Sequence, residues 1–238
     1  MSGFFGIFRP QGGPVDLEAF EQMKTAMQRE GFDGMETHVE DKIAMGHLML
    51  RVSPESKYDK QPLKSSCGNY ILVGHFRLDY RDELGDKLGL TQSELEVTPD
   101  SQLAMLAYQK WKDKCVHHLE GDWAFALFNY GEKKISFYID CSGISALYHF
   151  TNNEEIFFSS DINVFLKIKK IKFSLDLVQY SRFSLRIFGL RDGCTLLKDV
   201  STMPKGTICG FKKNLEKLSR TYWEIDLSQK KKYRFDKD

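Results

Sequence analysis

Chemistry in this sequence would begin at residue 2. The chain opens MSGFFGIF: an initiator Met, a small hydroxyl residue, a glycine, then an apolar run. A strand starting that close to the amine would carry the Ser2 side chain and its backbone nitrogen into the body of the fold. Some enzymes use such an N-terminal residue as their nucleophile and its free amine as the activating base. The plain alternative is a first strand tied into a sheet.

The other reactive side chains form no constellation. Five cysteines, Cys67, Cys115, Cys141, Cys194 and Cys209, are widely spread. No CxxC or Cys/His spacing occurs, which argues against a disulfide framework or a zinc site. His117 and His118 are adjacent, the wrong spacing for two ligands on one helix face. GFFG and SGIS lack the G-x-x-x-x-G-K-[ST] layout of a phosphate loop. KKKYR (230–234) reads as solvated tail, not as a nucleic-acid patch.

Several elements must position any site. Residues 3–8, 69–78, 123–129 and 133–140 read as strands, and 16–29 and 100–115 as helices, from apolar alternation and i, i+3/i+4 recurrence. METHVE and KIAMGHLMLRV are strand-like. YGE and TNNE mark hairpins. A short helix over 81–90, a helix near 174–187 and a last hairpin near 194–211 complete the reading. Helix, strands, helix and then a strand meander predict an α+β fold with antiparallel sheets. The first domain is expected over 1–225, and 226–238 as a polar linker or tail.

A formal net charge of +1 gives no global reason to expect nucleic acid or an acidic membrane. Hydrophobic residues at 42% and charged ones at 28% are ordinary globular usage. No run approaches a membrane span, GFFGIF is too short for a secretory leader, and a reducing cytoplasm is the expected compartment.

MSGFFGIF, MKTAMQREGFDG, GHLMLRV followed by QPL, FRLDYRDEL, the Asp100 helix start, LEGDWAFALFN, YIDCSGISALYHF, FFSSDINVFL and TYWEID occur in that order. Together they resemble the N-terminal glutaminase domain of asparagine synthetases, class II glutamine amidotransferases of the N-terminal-nucleophile hydrolase fold. The resemblance covers roughly 1–225. It implies a four-layer αββα sandwich, two antiparallel sheets face to face with helices outside. In that family an N-terminal Cys attacks the glutamine amide, and the ammonia passes to an ATP-using synthetase domain.

Against the family pattern, this sequence changes the catalytic positions. The nucleophile position is Ser2, and a hydroxyl needs stronger activation than a thiol. The arginine that would hold the glutamine carboxylate is Met49, a thioether unable to make a bidentate charge-assisted bond. Arg51 shares the strand face but sits about 7 Å along. The Asn-Gly-Glu segment of the oxyanion hole falls on Gly74, His75 and Phe76. Loss of one such donor typically costs about 100- to 1000-fold. Asp100, at the position that binds the substrate amine, is kept, and a helix cap is a sufficient structural reason for it. The same losses, with RLDYRDEL in the segment that follows, resemble synthetase-like ligases that form β-lactam or lasso-peptide amide bonds.

The expected function is therefore a glutamine amidotransferase type 2 domain without glutaminase activity, supporting an amide-forming synthetase module. That module would be the partner, in cis or trans, with no nucleic acid and no membrane. ATP and Mg are implied for it alone, and no cofactor for this chain. No SGGxDS-type loop occurs in the sequence. An active Ser-nucleophile amidohydrolase and a non-catalytic amino-acid-binding module stay open. Tyr222 and Trp223 are expected to anchor a partner, with the QPL segment nearby.

Overall fold

The apolar opening folds as the central strand of a sheet. In the computed structural model, which describes residues 2–28, 32–185, 193–212, 215–226 and 228, all six positions of β1 (Gly3–Phe8) are buried. Its neighbours are β2 (Gly34–Glu40), β3 (Ile43–Met49), β8 (Tyr148–Thr151), β9 (Ile156–Ser159) and β10 (Val200–Thr202), in the order β10-β8-β9-β1-β3-β2. The second sheet holds β4 (Leu63–Lys64), β5 (Tyr70–Leu78), β6 (Gly121–Asn129), β7 (Lys134–Ile139), β11 (Thr207–Phe211) and β12 (Lys217–Thr221), in the order β12-β11-β7-β6-β5-β4. The pairings between named strands are antiparallel, as the strand meander requires.

Three buried cores separate four layers. Between the sheets, Phe4, Phe8 and Met45 meet Val73, Phe128 and Phe137. Helix α1 (Leu17–Met27) covers the outer face of the first sheet, its Phe20 and Met23 packed with Phe5 and Ile7. Helices α2 (Arg81–Leu88), α3 (Gln92–Leu95) and α4 (Asp100–Trp111) cover the second, around Trp123 and Phe125. Strands buried on both faces explain the continuous apolar runs where one-sided strands would alternate.

Two cross-strand fits fix the first sheet. A Cβ at Gly46 would lie 2.3 Å from the Phe5 ring, and one at Gly6 the same distance from Phe158. Each glycine makes room for an aromatic ring laid across it.

Some expectations change. The stretch near 194–211 is not one hairpin, because β10 joins the first sheet and β11 the second; the last hairpin is β11–β12. The helix expected to 115 stops at Trp111 and tightens into a 3-10 segment, Lys112–His117. Helix α5 (Leu177–Ser184) is shorter than 174–187, whose last two residues fall outside the described ones. So does the 226–238 tail, apart from Asp226 and Ser228. Helix α5 is inverted: Gln179 is buried, while Leu177, Val178, Tyr180 and Phe183 stand in solvent. Among the described residues no helix is long and apolar enough to cross a membrane.

Phe158 and Phe137 join the two sheets, their ring centroids 5.2 Å apart. Phe158→Ala should cost about 3–5 kcal/mol, read as a lowered urea midpoint. Val39→Ala, on the exposed edge strand β2, should stay within about 0.5 kcal/mol of the parent. Equal effects would show that the inter-sheet core does not govern stability.

Candidate functional site

The site is built at one end of the sheet pair, where β1, β3 and β5 terminate together. Ser2 lies one residue beyond the Gly3–Leu48 pair. Its Oγ accepts the Leu50 N–H at 3.1 Å and donates back to the Leu50 carbonyl at 3.4 Å. These backbone groups are its hydrogen-bond partners among the described residues, and neither is a base.

Strand alternation decides which neighbours face Ser2. On β3, Met45 is in the inter-sheet core, and His47 and Met49 follow on the same face. On β5, Val73 and then His75 do the same. Gly74 faces the helix side, where a Cβ would lie 2.4 Å from the Phe125 Cβ. Its N–H donates to the buried Gln61 Oε1 at 2.8 Å, a side chain acting as ladder partner beyond the end of β4. The Phe76 ring packs on Phe125. So of Gly74, His75 and Phe76, strand alternation turns only His75 toward the inter-sheet face.

Ser2 and His75 stand between two clefts. The outer one, about 230 Å³, is also lined by Met49, Glu55, Phe76 and Asp100. The inner one, about 310 Å³, is lined by Met27, Leu48, Ile144 and Asn163. Met49 is buried at the rim and supplies a thioether. Arg51 does not substitute for it. Its side chain is exposed and belongs to a neighbouring cleft with Asp33 and Lys57, and its N–H donates to Asp33 at 2.6 Å.

Asp100 reaches the outer cleft with both oxygens engaged. Oδ2 accepts the Leu78 N–H at 2.9 Å, and Oδ1 pairs with Arg81. Arg81 also donates to the carbonyls of Leu95 and Thr98. The cap reading needs correction: the N-cap of α4 is Pro99, and Asp100 is its first helical residue. The carboxylate instead staples the end of β5 to the starts of α2 and α4. Burial pushes its pKa up, against the Leu78 N–H and Arg81.

The sequence reading missed several residues here. Asp140 accepts from the backbone N–H groups of Trp123, Ser142 and Gly143, folding the 141–146 loop whose end lines the inner cleft. The signal was the Asp-x-Ser-Gly turn after a strand. Glu55 and Asp59 come from SPESKYDK, which carries a 3-10 segment, Pro54–Tyr58, where a polar loop was expected. His47 is buried with no well-formed hydrogen bond to either nitrogen. Among the described residues, no group of three or more His, Cys, Asp or Glu could hold a metal ion.

Comparison with known proteins follows the same lines. A family model described as a glutamine amidotransferase domain matches residues 1–223. The chain is 23% identical over 227 residues to asparagine synthetase [glutamine-hydrolyzing] 3 of Bacillus subtilis, covering 93% of this chain and 36% of that protein. It is 26% identical over 186 residues to a putative asparagine synthetase 2 of Methanocaldococcus jannaschii, covering 72% of this chain and 36% of the relative. The chain thus spans about a third of the length of these relatives. In fold it resembles glutamine phosphoribosylpyrophosphate amidotransferase of B. subtilis, with TM-score 0.64 and 13% identity over 94% of this chain and 50% of that one. That likeness supports the two-sheet N-terminal-nucleophile architecture.

Burial holds the pKa of His47 at about 3 and that of His75 at about 4, well below the usual histidine range. Both rings are folded neutral. An unfolded histidine titrates near about 6.5. Between that pH and 4 the unfolded chain takes up protons that the folded one refuses, so this contribution is full above about pH 6.5 and is lost as pH falls toward 4. His47→Leu should flatten the fall in melting temperature between pH 6.5 and 4.5 without lowering it at pH 7.5, since an apolar group replaces an imidazole whose one polar contact, with the Gly74 backbone, is not a well-formed hydrogen bond. An unchanged pH slope would exclude His47 as a source.

Proposed function

The chain belongs to the glutamine amidotransferase domain family, and from that premise we propose that it is a non-hydrolysing, asparagine-synthetase-like member supporting an ATP-dependent, amide-forming synthetase module. The state of Asp100 carries this reading. A carboxylate that accepts the Leu78 N–H and pairs with Arg81 has its charge already compensated. Binding a substrate ammonium there would mean breaking a half-buried pair, and breaking buried pairs is strongly destabilising. The same cleft has Met49 in place of a carboxylate anchor, and a Ser2 hydroxyl held by backbone groups alone.

The proposed unit runs over 1–225. ATP and Mg chemistry would belong to the synthetase module, in the same polypeptide or a second one. The outward apolar residues of α5, with Trp223 and Ile225 also exposed, support a covering partner, because a monomer seldom leaves such surface bare. Tyr222 drops out as an anchor. It packs on His117 and Trp123, and its hydroxyl donates to the Ile139 carbonyl at 2.8 Å. All five cysteines are free, which fits the proposed cytoplasmic setting.

Purified protein should release no ammonia from glutamine. Ser2→Cys, alone or with Met49→Arg, should not restore turnover, because nucleophile, anchor and oxyanion donor act as a unit. Glutamine-dependent ammonia release by the parent chain, abolished in Ser2→Ala, would overturn the proposal.

A further inference from the structure

Helix α5 presents the wrong side to its own protein. The inward side is polar, with Gln179 only 3% exposed and Arg182 half-buried. The outward side carries Leu177, Val178, Tyr180 and Phe183, with Leu185 at the C-cap. Leu177 is 69% exposed and Phe183 60%. None of these five belongs to the three cores. Helix α1 does the reverse, turning Phe20 and Met23 inward. The start of α5 is nonetheless fixed. The Asp176 carboxylate accepts the Val178 and Gln179 N–H groups at 3.0 Å, and its own N–H donates to the Leu196 carbonyl at 2.9 Å. The apolar side is therefore held outward by the fold.

The charge beside it is of one sign. Residues 161–185 hold five cations, Lys167, Lys169, Lys170, Lys172 and Arg182, and two acids. Both acids, Asp161 and Asp176, are helix N-caps. Lys170 is taken by Asp16 and Glu155, at 2.5 and 3.0 Å. Lys167, Lys169 and Lys172 are exposed and form no ion pair among the described residues.

These charges select the occupant. A second copy docked two-fold on this face would set the same lysines against each other. A helix lying on a bilayer carries its Lys and Arg on its own polar face, and the one cation of α5, Arg182, is turned inward. A protein groove fits better. Leu177, Tyr180 and Phe183 recur at three-residue spacing, the anchor pattern of a helix laid in an apolar groove.

We infer that α5 is the anchor of this chain's protein interface, an apolar ridge that enters an apolar groove with an acidic rim. Carboxylates of the partner face Lys167, Lys169 and Lys172. Trp223 is secondary, since it is less exposed and its N–H is bound to the Gly206 carbonyl at 3.3 Å. The inference rests on the reading that a synthetase module covers this chain, and gives that module's contact to α5.

The test places the photo-crosslinker p-benzoylphenylalanine at position 183 of the full chain, and separately at 223 and 39, in the cells the protein comes from. The attached peptides are identified by mass spectrometry. Position 183 should attach to the polypeptide carrying an SGGxDS-type loop, whether continuous with this chain or separate, at a segment rich in Asp or Glu. Its yield should exceed that of position 39 at least about fivefold, because anchors sit at the centre of an interface. Lys167→Glu, Lys169→Glu and Lys172→Glu together should cut the yield about tenfold. All three side chains are exposed, and an unchanged melting temperature excludes misfolding as the cause. An undiminished yield would overturn the acidic rim. Attachment of that polypeptide at 223 or 39 but not at 183 would overturn the α5 assignment and leave the module reading standing. Its absence from all three positions, with only lipid, a second copy or an unrelated protein attached, would overturn both.

Discussion

Burial of β1 on both faces is the constraint from which the rest follows. Phe4 and Phe8 point into the space between the sheets, and Phe5 and Ile7 point under α1. A strand covered on both sides can slip by neither one residue nor two without exchanging aromatic rings for gaps. Its register therefore holds Ser2 against the Leu50 backbone, at the corner where β3 and β5 also end. The two clefts exist because three strands stop there, and their walls are whatever side chains the alternation delivers.

Around that corner, groups that could have met a substrate serve the fold. Asp100 joins β5, α2 and α4 through Leu78 and Arg81. Gln61 completes the edge of the second sheet at Gly74, and Asp140 shapes the loop beyond β7. The Gln61 bond satisfies a buried Gly74 donor that would otherwise cost about 1–3 kcal/mol.

Much of this was legible in the residue pattern. Periodicity located β1, α1, the β6–β7 hairpin and the β8–β9 hairpin, since each has local apolar spacing or turn residues that fix it. It failed where partners are distant. Nothing local says that β10 and β11, separated by four residues, leave for different sheets, or that exposed β12 pairs with β11. At the site, the unusual residues at 2, 49 and 75 could be read from their types. The inward turn of His75 against the outward turn of Gly74 depends on the phase of one strand. The staple at Asp100 depends on Arg81, nineteen positions earlier, arriving through a helix start.

The glycine–aromatic fits in the first sheet also constrain how this sequence can diverge. Any side chain at position 46 collides with the Phe5 ring, and any at position 6 with Phe158 and the Ala44 carbonyl. Phe5 and Gly46 behave as one heritable unit, since the ring has to shrink before the glycine can grow; at Gly6 the Ala44 backbone carbonyl, 2.5 Å from a Cβ, bars a side chain whatever stands at 158. A lineage changing one at a time would pass through either a hole or a clash in the middle of its most buried sheet. Positions 5 and 46 should therefore drift together among descendants of this chain, and position 6 should stay glycine, whatever happens to the chemistry at residue 2.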